Sequence, residues 1–307
     1  MGKILIATDK PFSKLAVQSI QTVISEEGHE WVLLENYTSQ TELQMAVADV
    51  DAIIIRSDIV DRDVLKAAKN LKIVVRAGAG YDNVDLAVAT EKGLVVMNTP
   101  GQNSNAVAEL VFGMLVYLNR GGFDGSTGTE LRNKKIGIYA YGYVGRIVAL
   151  IAKGFGMKVY AHDPFVDKVL IENDGIKFEE TAADMFSKCQ YVSLHIPLNK
   201  ATKDVINFEL MSAMPEGATI VNTARKEVVH EPSLIKMFEQ RPDFRYATDI
   251  EPDCKDQLVK YKGRYFATPK KMGAQTAEAN LNAGVAAAKQ IINFLDKGDT
   301  TFQVNKK

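Results

Sequence analysis

Cysteine, tryptophan and histidine are scarce in this 307-residue chain, which holds two, one and four of them. Cys189 and Cys254 supply neither a disulfide framework nor metal-ligand spacing, which excludes a stapled secreted scaffold and a structural metal site and points to a reducing compartment. Neither sign of charge is in excess: 37 Lys+Arg stand against 38 Asp+Glu, a formal net charge of −1. Bulk attraction to nucleic acid or to an anionic membrane is thereby excluded, and an anionic ligand must be held by local charge. No apolar run reaches the roughly 18–20 residues that span a bilayer, and the apolar stretch after Met1 ends at Asp9, too soon for a signal peptide. The chain therefore reads as cytosolic. What is plentiful is core material, 46% hydrophobic against 24% charged, enough for two ordinary globular domains.

That material is distributed in alternation. Short aliphatic or β-branched runs at residues 4–7, 31–34, 52–55, 73–75 and 95–97, then 135–139, 158–161, 191–194, 219–221 and 245–248, are separated by helix-period stretches. This is the pattern of parallel βαβ units. Residues 13–27 carry Leu15, Val17, Ile20, Val23 and Ile24 as an apolar stripe, and residues 104–118 are also helical in pattern. Residues 118–130 hold four glycines and several turn formers, and read as a loop joining two modules. The last helix, about 274–295, is rich in small residues and is expected to cross back to the first domain. The predicted fold is α/β: two Rossmann-like domains with doubly wound parallel sheets, residues 1–98 plus 274–307 forming one and residues 99–273 inserted as the other.

The run at 135–139 is followed by Ala140-Tyr141-Gly142-Tyr143-Val144-Gly145, an apolar helix, a second strand and Asp163. Strand, glycine-rich turn, helix and acid, at close to the expected spacing of about 20 residues, form a dinucleotide-binding fingerprint. Gly142 would let the backbone approach a pyrophosphate, Gly145 would let helix and strand pack closely, and the helix N-terminus would offer unpaired N–H groups. An acid at Asp163 suits ribose hydroxyls and repels a 2′-phosphate, so NAD is expected. Ala140 stands where the fingerprint has its first glycine, and asks for a slightly different turn.

Three later segments, Val192-Ser-Leu-His-Ile-Pro-Leu198, Val221-Asn-Thr-Ala-Arg225 and Thr248-Asp-Ile-Glu-Pro252, follow in order. Upstream lie Arg76-Ala-Gly-Ala-Gly-Tyr-Asp-Asn-Val-Asp85 and Val96-Met-Asn-Thr-Pro100. Together they resemble the D-isomer-specific 2-hydroxyacid dehydrogenases over nearly the whole chain, and within them a branch acting on a phosphorylated hydroxy acid. The resemblance implies an active site in a cleft between the substrate and nucleotide domains. Arg225 would bind the substrate carboxylate and carbonyl, and a planar guanidinium fork suits that task. Glu251 would pair with the acid–base residue, and Asp249 would contact the nicotinamide carboxamide. His195 and Pro197, with Thr223 and Ala224, would line the cofactor. Arg56 and Ser57 would hold a phosphate, with Arg76 close by, and the Ala77-Gly78-Ala79-Gly80 backbone would hold a carboxylate, as a nest of N–H groups can.

The family's acid–base histidine follows a Thr-Pro pair, and this chain reads Thr268-Pro269-Lys270-Lys271. His29 reads as a surface residue, His162 neighbours Asp163, and His195 and His230 read as structural or cofactor contacts; none occupies that motif. A protonated lysine can donate to a developing alkoxide, and a neutral one can take the hydroxyl proton in oxidation. Counting forward from Pro269 selects Lys270, the preferred choice, whereas counting back from Gly273 selects Lys271. Members of the family without a C-terminal regulatory domain resemble this chain in carrying lysine there, so activity is expected; the short stretch after the last helix leaves feedback through such a domain unexpected. The helix at 104–118 resembles one used for dimerisation. Two other readings remain at this stage: a reductase of unphosphorylated keto acids, which would not need Arg56, and a non-enzymatic NAD-sensing protein. No metal is expected.

Overall fold

Among the described residues, aliphatic and β-branched runs form twelve strands, and every pairing between them is parallel. The computed structural model describes residues 1–306, which fall into two units, 1–103 with 275–306 and Ser104–Ala274. The boundaries thus lie at 103/104 and 274/275, against the 98/99 and 273/274 read from the sequence.

In the first unit, β1 (Lys3–Thr8), β2 (Glu30–Glu35), β3 (Ala52–Ile55), β4 (Ile73–Arg76) and β5 (Val95–Asn98) lie in the order β2-β1-β3-β4-β5. All four residues of β3 are buried, because helices cover both faces of the sheet. Each such aliphatic side chain removed from water contributes about 1.5–3 kcal/mol. The helix Lys14–Glu26 starts at Ser13, whose hydroxyl accepts from the Ala16 N–H. It buries Ala16, Val17, Ile20 and Ile24, whereas Leu15, assigned to the apolar stripe, is 62% exposed. The Ala16–Ile20–Ile24 repeat sets the buried face and turns Leu15 away. Against this face packs the final helix, Ala277–Lys297, through Ala283, Gly284 and Ala287. A Cβ at Gly284 would sit 2.6 Å from Ile20 Cδ1, so the small residues set the approach of the two helices. His29, expected at the surface, is 7% exposed: its Nδ1 accepts from the Gly2 N–H and its Nε2 faces Asp296 in the same final helix.

In the second unit, β6 (Lys135–Tyr139), β7 (Lys158–His162), β8 (Lys177–Phe178), β9 (Tyr191–Leu194), β10 (Thr219–Asn222), β11 (Arg245–Thr248) and β12 (Tyr265–Ala267) take the order β12-β11-β10-β9-β6-β7-β8. The chain leaves β6 in one direction to β7 and β8, and returns on its other side with β9. The strand ends of β6 and β9 therefore form a topological switch point, where open parallel sheets bind ligands. The helix Ser104–Asn119 belongs to this unit, with Val111, Phe112 and Leu115 packed into the core that holds Ile136 and Val148. The glycine-rich 118–130 segment consequently lies inside the second unit and does not join two modules: the Thr129 N–H donates back to the Asn119 carbonyl. Among the described residues no helix is long and apolar enough to cross a membrane, and no cluster of side chains could hold a metal.

Candidate active site

At the end of β6 the chain turns through Ala140 at φ +76°, in the left-handed region that glycine tolerates best. The turn is thus the one a glycine would make, with an alanine strained into it, and not the different turn expected. The helix Tyr143–Gly154 begins at Gly142. A Cβ at Gly142 would meet nothing within 4 Å, whereas one at Gly145 would lie 2.3 Å from the Ala140 carbonyl oxygen. One glycine leaves space outside the fold and the other permits close packing inside it. Asp163, buried after β7, accepts from the Tyr141 N–H at 2.8 Å and from the Phe165 and Val166 N–H groups. Its carboxylate ties the turn to the end of β7. Tyr143 is exposed and Val144, next to it, half-buried; Pro197 is exposed. At the end of β9, His195 Nε2 lies 2.9 Å from the Ser193 hydroxyl, and desolvation pushes its pKa down to about 3, so the imidazole is neutral at ordinary pH.

The ends of β10 and β11 carry the charged groups. Ala224 follows β10, and its carbonyl accepts two bonds, from Arg225 Nη1 and from Lys271 Nζ, each at 3.0 Å. Asp249, after β11, is 1% exposed; its Oδ2 accepts from the Gly273 N–H at 2.8 Å. Burial raises its pKa, with the charges of Lys271 and Arg225 and the Gly273 N–H opposing. Its Oδ1 is buried without a hydrogen-bond partner, and so is the Thr223 hydroxyl oxygen. Two orphaned polar atoms beside two cations fit a site built for a polar ligand, since a buried polar atom left unpaired costs about 1–3 kcal/mol.

These contacts bear on two expectations. Lys271, not the preferred Lys270, lies with Arg225 on the Ala224 carbonyl and beside Asp249; both lysines are exposed, and the Lys270 carbonyl is held by the Thr268 hydroxyl at 2.7 Å. Glu251, expected to pair with the acid–base residue, accepts from Lys255 at 2.6 Å, one helical turn along its own loop. The charge of Lys271 acts on Asp249. The extra residue in the lysine loop accounts for the first shift: Gly273 is pinned to Asp249, and counting back from that anchor brings Lys271 to Ala224.

In the first unit, Arg56 follows β3. Its guanidinium donates to the Lys10 and Pro11 carbonyls and to Asn280 Oδ1 at 2.6 Å, and lies over the Phe12 ring. Ser57 beside it is exposed. Arg76 Nε donates to the Arg56 carbonyl. Its side chain covers Gly78, where φ is +154° and a Cβ would collide with the guanidinium. The Gly78 N–H is taken by the Arg76 carbonyl, so the expected nest of amides loses that donor. Ala77 is buried, its N–H donating to the Ile55 carbonyl, and the Ala79 carbonyl accepts from Asn98. His162 is held through Nδ1 at the Glu179 carbonyl, and His230 by Ser233, as structural residues. Asn222 and Tyr246 were missed by sequence reasoning, although an asparagine at a strand end is a recognisable turn former.

A seven-stranded parallel sheet with a glycine turn and acid at its switch point defines a dinucleotide-binding α/β protein of dehydrogenase architecture. The chain belongs to the D-isomer specific 2-hydroxyacid dehydrogenases, whose catalytic-domain model matches residues 6–305. It is 45% identical to the NAD+-bound 3-phosphoglycerate dehydrogenase of Entamoeba histolytica, with a TM-score of 0.92 and 99% of each chain covered. It is 33% identical over 288 residues to the D-3-phosphoglycerate dehydrogenase of Methanocaldococcus jannaschii, covering 89% of this chain and 55% of that protein. The Thermotoga maritima hydroxypyruvate reductase is 31% identical, covering 96% of this chain and 99% of that one. The chain spans about half the length of the curated phosphoglycerate dehydrogenases it matches.

Proposed function

We propose that the protein is an NAD-dependent D-3-phosphoglycerate dehydrogenase that oxidises 3-phospho-D-glycerate to 3-phosphohydroxypyruvate, the entry to serine synthesis, in the cytoplasm. The observation carrying the chemistry is the Ala224 carbonyl shared by Arg225 and Lys271. Gly142, Asp163 and the orphaned Thr223 and Asp249 oxygens would hold the dinucleotide, which supplies a hydride acceptor when bound. Lys271 in its neutral form takes the substrate hydroxyl proton, and its ammonium form returns it in reduction. Arg225 orients the carboxylate and the forming carbonyl through parallel N–H groups. Because lysine is ordinarily charged below about pH 10, oxidation is expected to rise toward alkaline pH.

The phosphate would be taken by the Arg56–Ser57 turn and Arg76, and the similarity to the Entamoeba enzyme supports this substrate. A reductase of hydroxypyruvate or glyoxylate is the second reading. It is favoured by the full-length match to the Thermotoga protein and by the three oxygen acceptors already on the Arg56 guanidinium. NADH formation with 3-phosphoglycerate at alkaline pH, compared with glycerate and D-lactate, and NADH consumption with hydroxypyruvate separate the two. Robust hydroxypyruvate reduction without phosphoglycerate turnover would overturn the substrate. A homodimer is part of the proposal, and sedimentation velocity tests it.

A further inference from the structure

We propose that Asn222 is a positioning residue that fixes the Ala224 carbonyl, and through it both cations of the site. Asn222 ends β10 and is fully buried. Its Oδ1 accepts from the Ala224 N–H at 3.0 Å, while its Nδ2 donates to the Arg225 carbonyl at 2.9 Å and to the Tyr246 phenol oxygen at 3.1 Å. One side-chain amide therefore holds the two peptide groups on either side of the Ala224 carbonyl's own plane. That carbonyl is the acceptor for Arg225 Nη1 and Lys271 Nζ. Were the turn free to rotate, the shared acceptor would swing away from both, and reacting groups must be held to within about 0.5 Å and 10–20°.

Tyr246 supports the amide from behind. It is 1% exposed, and burial raises its pKa, so the phenol keeps its proton and offers Asn222 an oxygen lone pair. Both side chains are buried, and they act through the turn. The shared carbonyl also favours the charged form of Lys271, as any acceptor on an ammonium does. Loosening it should ease deprotonation while spoiling the geometry. Rate and pH dependence then move in a combination that simple loss of folded protein cannot produce.

This inference rests on the reading of Arg225 and Lys271 as reacting groups, so Lys271→Ala is run beside Asn222→Ala and Tyr246→Phe in the full chain. Measured are kcat and KM for oxidation of the hydroxy acid across pH, and the Kd of ADP-ribose, which probes the Gly142 turn and Asp163 without the nicotinamide. Asn222→Ala is expected to lower kcat/KM by about 10- to 100-fold, chiefly in kcat. The alkaline rise of oxidation should move to lower pH, with ADP-ribose affinity unchanged. Tyr246→Phe, which removes a single hydroxyl, should shift the profile the same way with a smaller loss, and it decides the matter if Asn222→Ala does not fold. An unshifted pH profile in both variants, or a loss of activity that tracks loss of ADP-ribose binding, would overturn the inference. Full activity in Lys271→Ala would instead overturn the reading beneath it.

Discussion

Lys271 Nζ donates to the Ala224 carbonyl oxygen at 3.0 Å, whereas at its neighbour Lys270, equally exposed, it is the backbone carbonyl that is held, by the Thr268 hydroxyl. Adjacent lysines of the same chemistry are thus given different surroundings by the Asp249–Gly273 anchor. Lys271→Ala should lower kcat by about 10²- to 10⁴-fold, the usual contribution of a positioned acid–base group. Lys270→Ala should stay within about threefold. Steady-state kinetics on both variants decides: equal losses would mean that the loop as a whole, and not one ammonium, is required.

Asp249 predicts a trade of stability against function. Its folded-state pKa is raised by burial, so the folded protein binds the proton more tightly than the unfolded chain does. The sign follows: stability falls as pH rises through the carboxylate range, and the ionised group is a net cost at neutral pH. Asp249→Asn keeps an acceptor for the Gly273 N–H and removes that cost. The variant is expected to melt about 2–4 °C higher at pH 7, with the gain shrinking toward pH 4, while activity falls as Lys271 and Arg225 lose their counter-charge. Thermal melts at the two pH values check the sign, and a lower Tm at pH 7 would refute it.

Much of the fold could be read from period alone, because buried parallel strands are continuous apolar runs; β3 is Ala-Ile-Ile-Ile with every residue buried. The strands that escaped, Lys177–Phe178 and Tyr265–Ala267, sit at the two edges of the second sheet, where strands are short and carry less apolar signal. The glycine turn and Asp163 were legible because phosphate binding needs specific residues at specific places. The candidate proton-transfer groups were legible only as types. Whether Lys270 or Lys271 reaches the site depends on a long-range bond, Asp249 to Gly273, that no local pattern encodes. The local pair at Glu251 was not legible for a similar reason: its own loop supplies Lys255 one turn away, and an ion pair forms there.

Ala140 carries a strain that a single atom group causes. At φ +76° an L-residue costs roughly 1–2 kcal/mol, and glycine costs nothing there but loses about 0.5–1 kcal/mol in the unfolded chain. Ala140→Gly is therefore expected to be mildly stabilising, by up to about 1 kcal/mol, which is a rise of a few degrees or less in Tm. Ala140→Val, with a β-branched side chain in the same region, should be clearly destabilising. Paired denaturant titrations test the order Gly, Ala, Val; any other order would show that the turn relaxes when the side chain changes.

The same turn offers a separation of binding from folding. Gly142 faces open space, so Gly142→Ala should fold with an unchanged Tm and yet occupy the volume a pyrophosphate needs, weakening NADH by about 10-fold or more. Gly145 faces the Ala140 carbonyl oxygen, 2.3 Å from where a Cβ would stand, and backbone cannot yield as a flexible side chain would. Gly145→Ala should lower stability by about 1–3 kcal/mol, the usual cost of overpacking, and lose NADH affinity as a consequence. Fluorescence titration of NADH alongside thermal melts distinguishes them. If Gly142→Ala binds NADH as tightly as the parent, the pyrophosphate does not cross this glycine, and the orphaned oxygens of Thr223 and Asp249 would have to serve some other ligand.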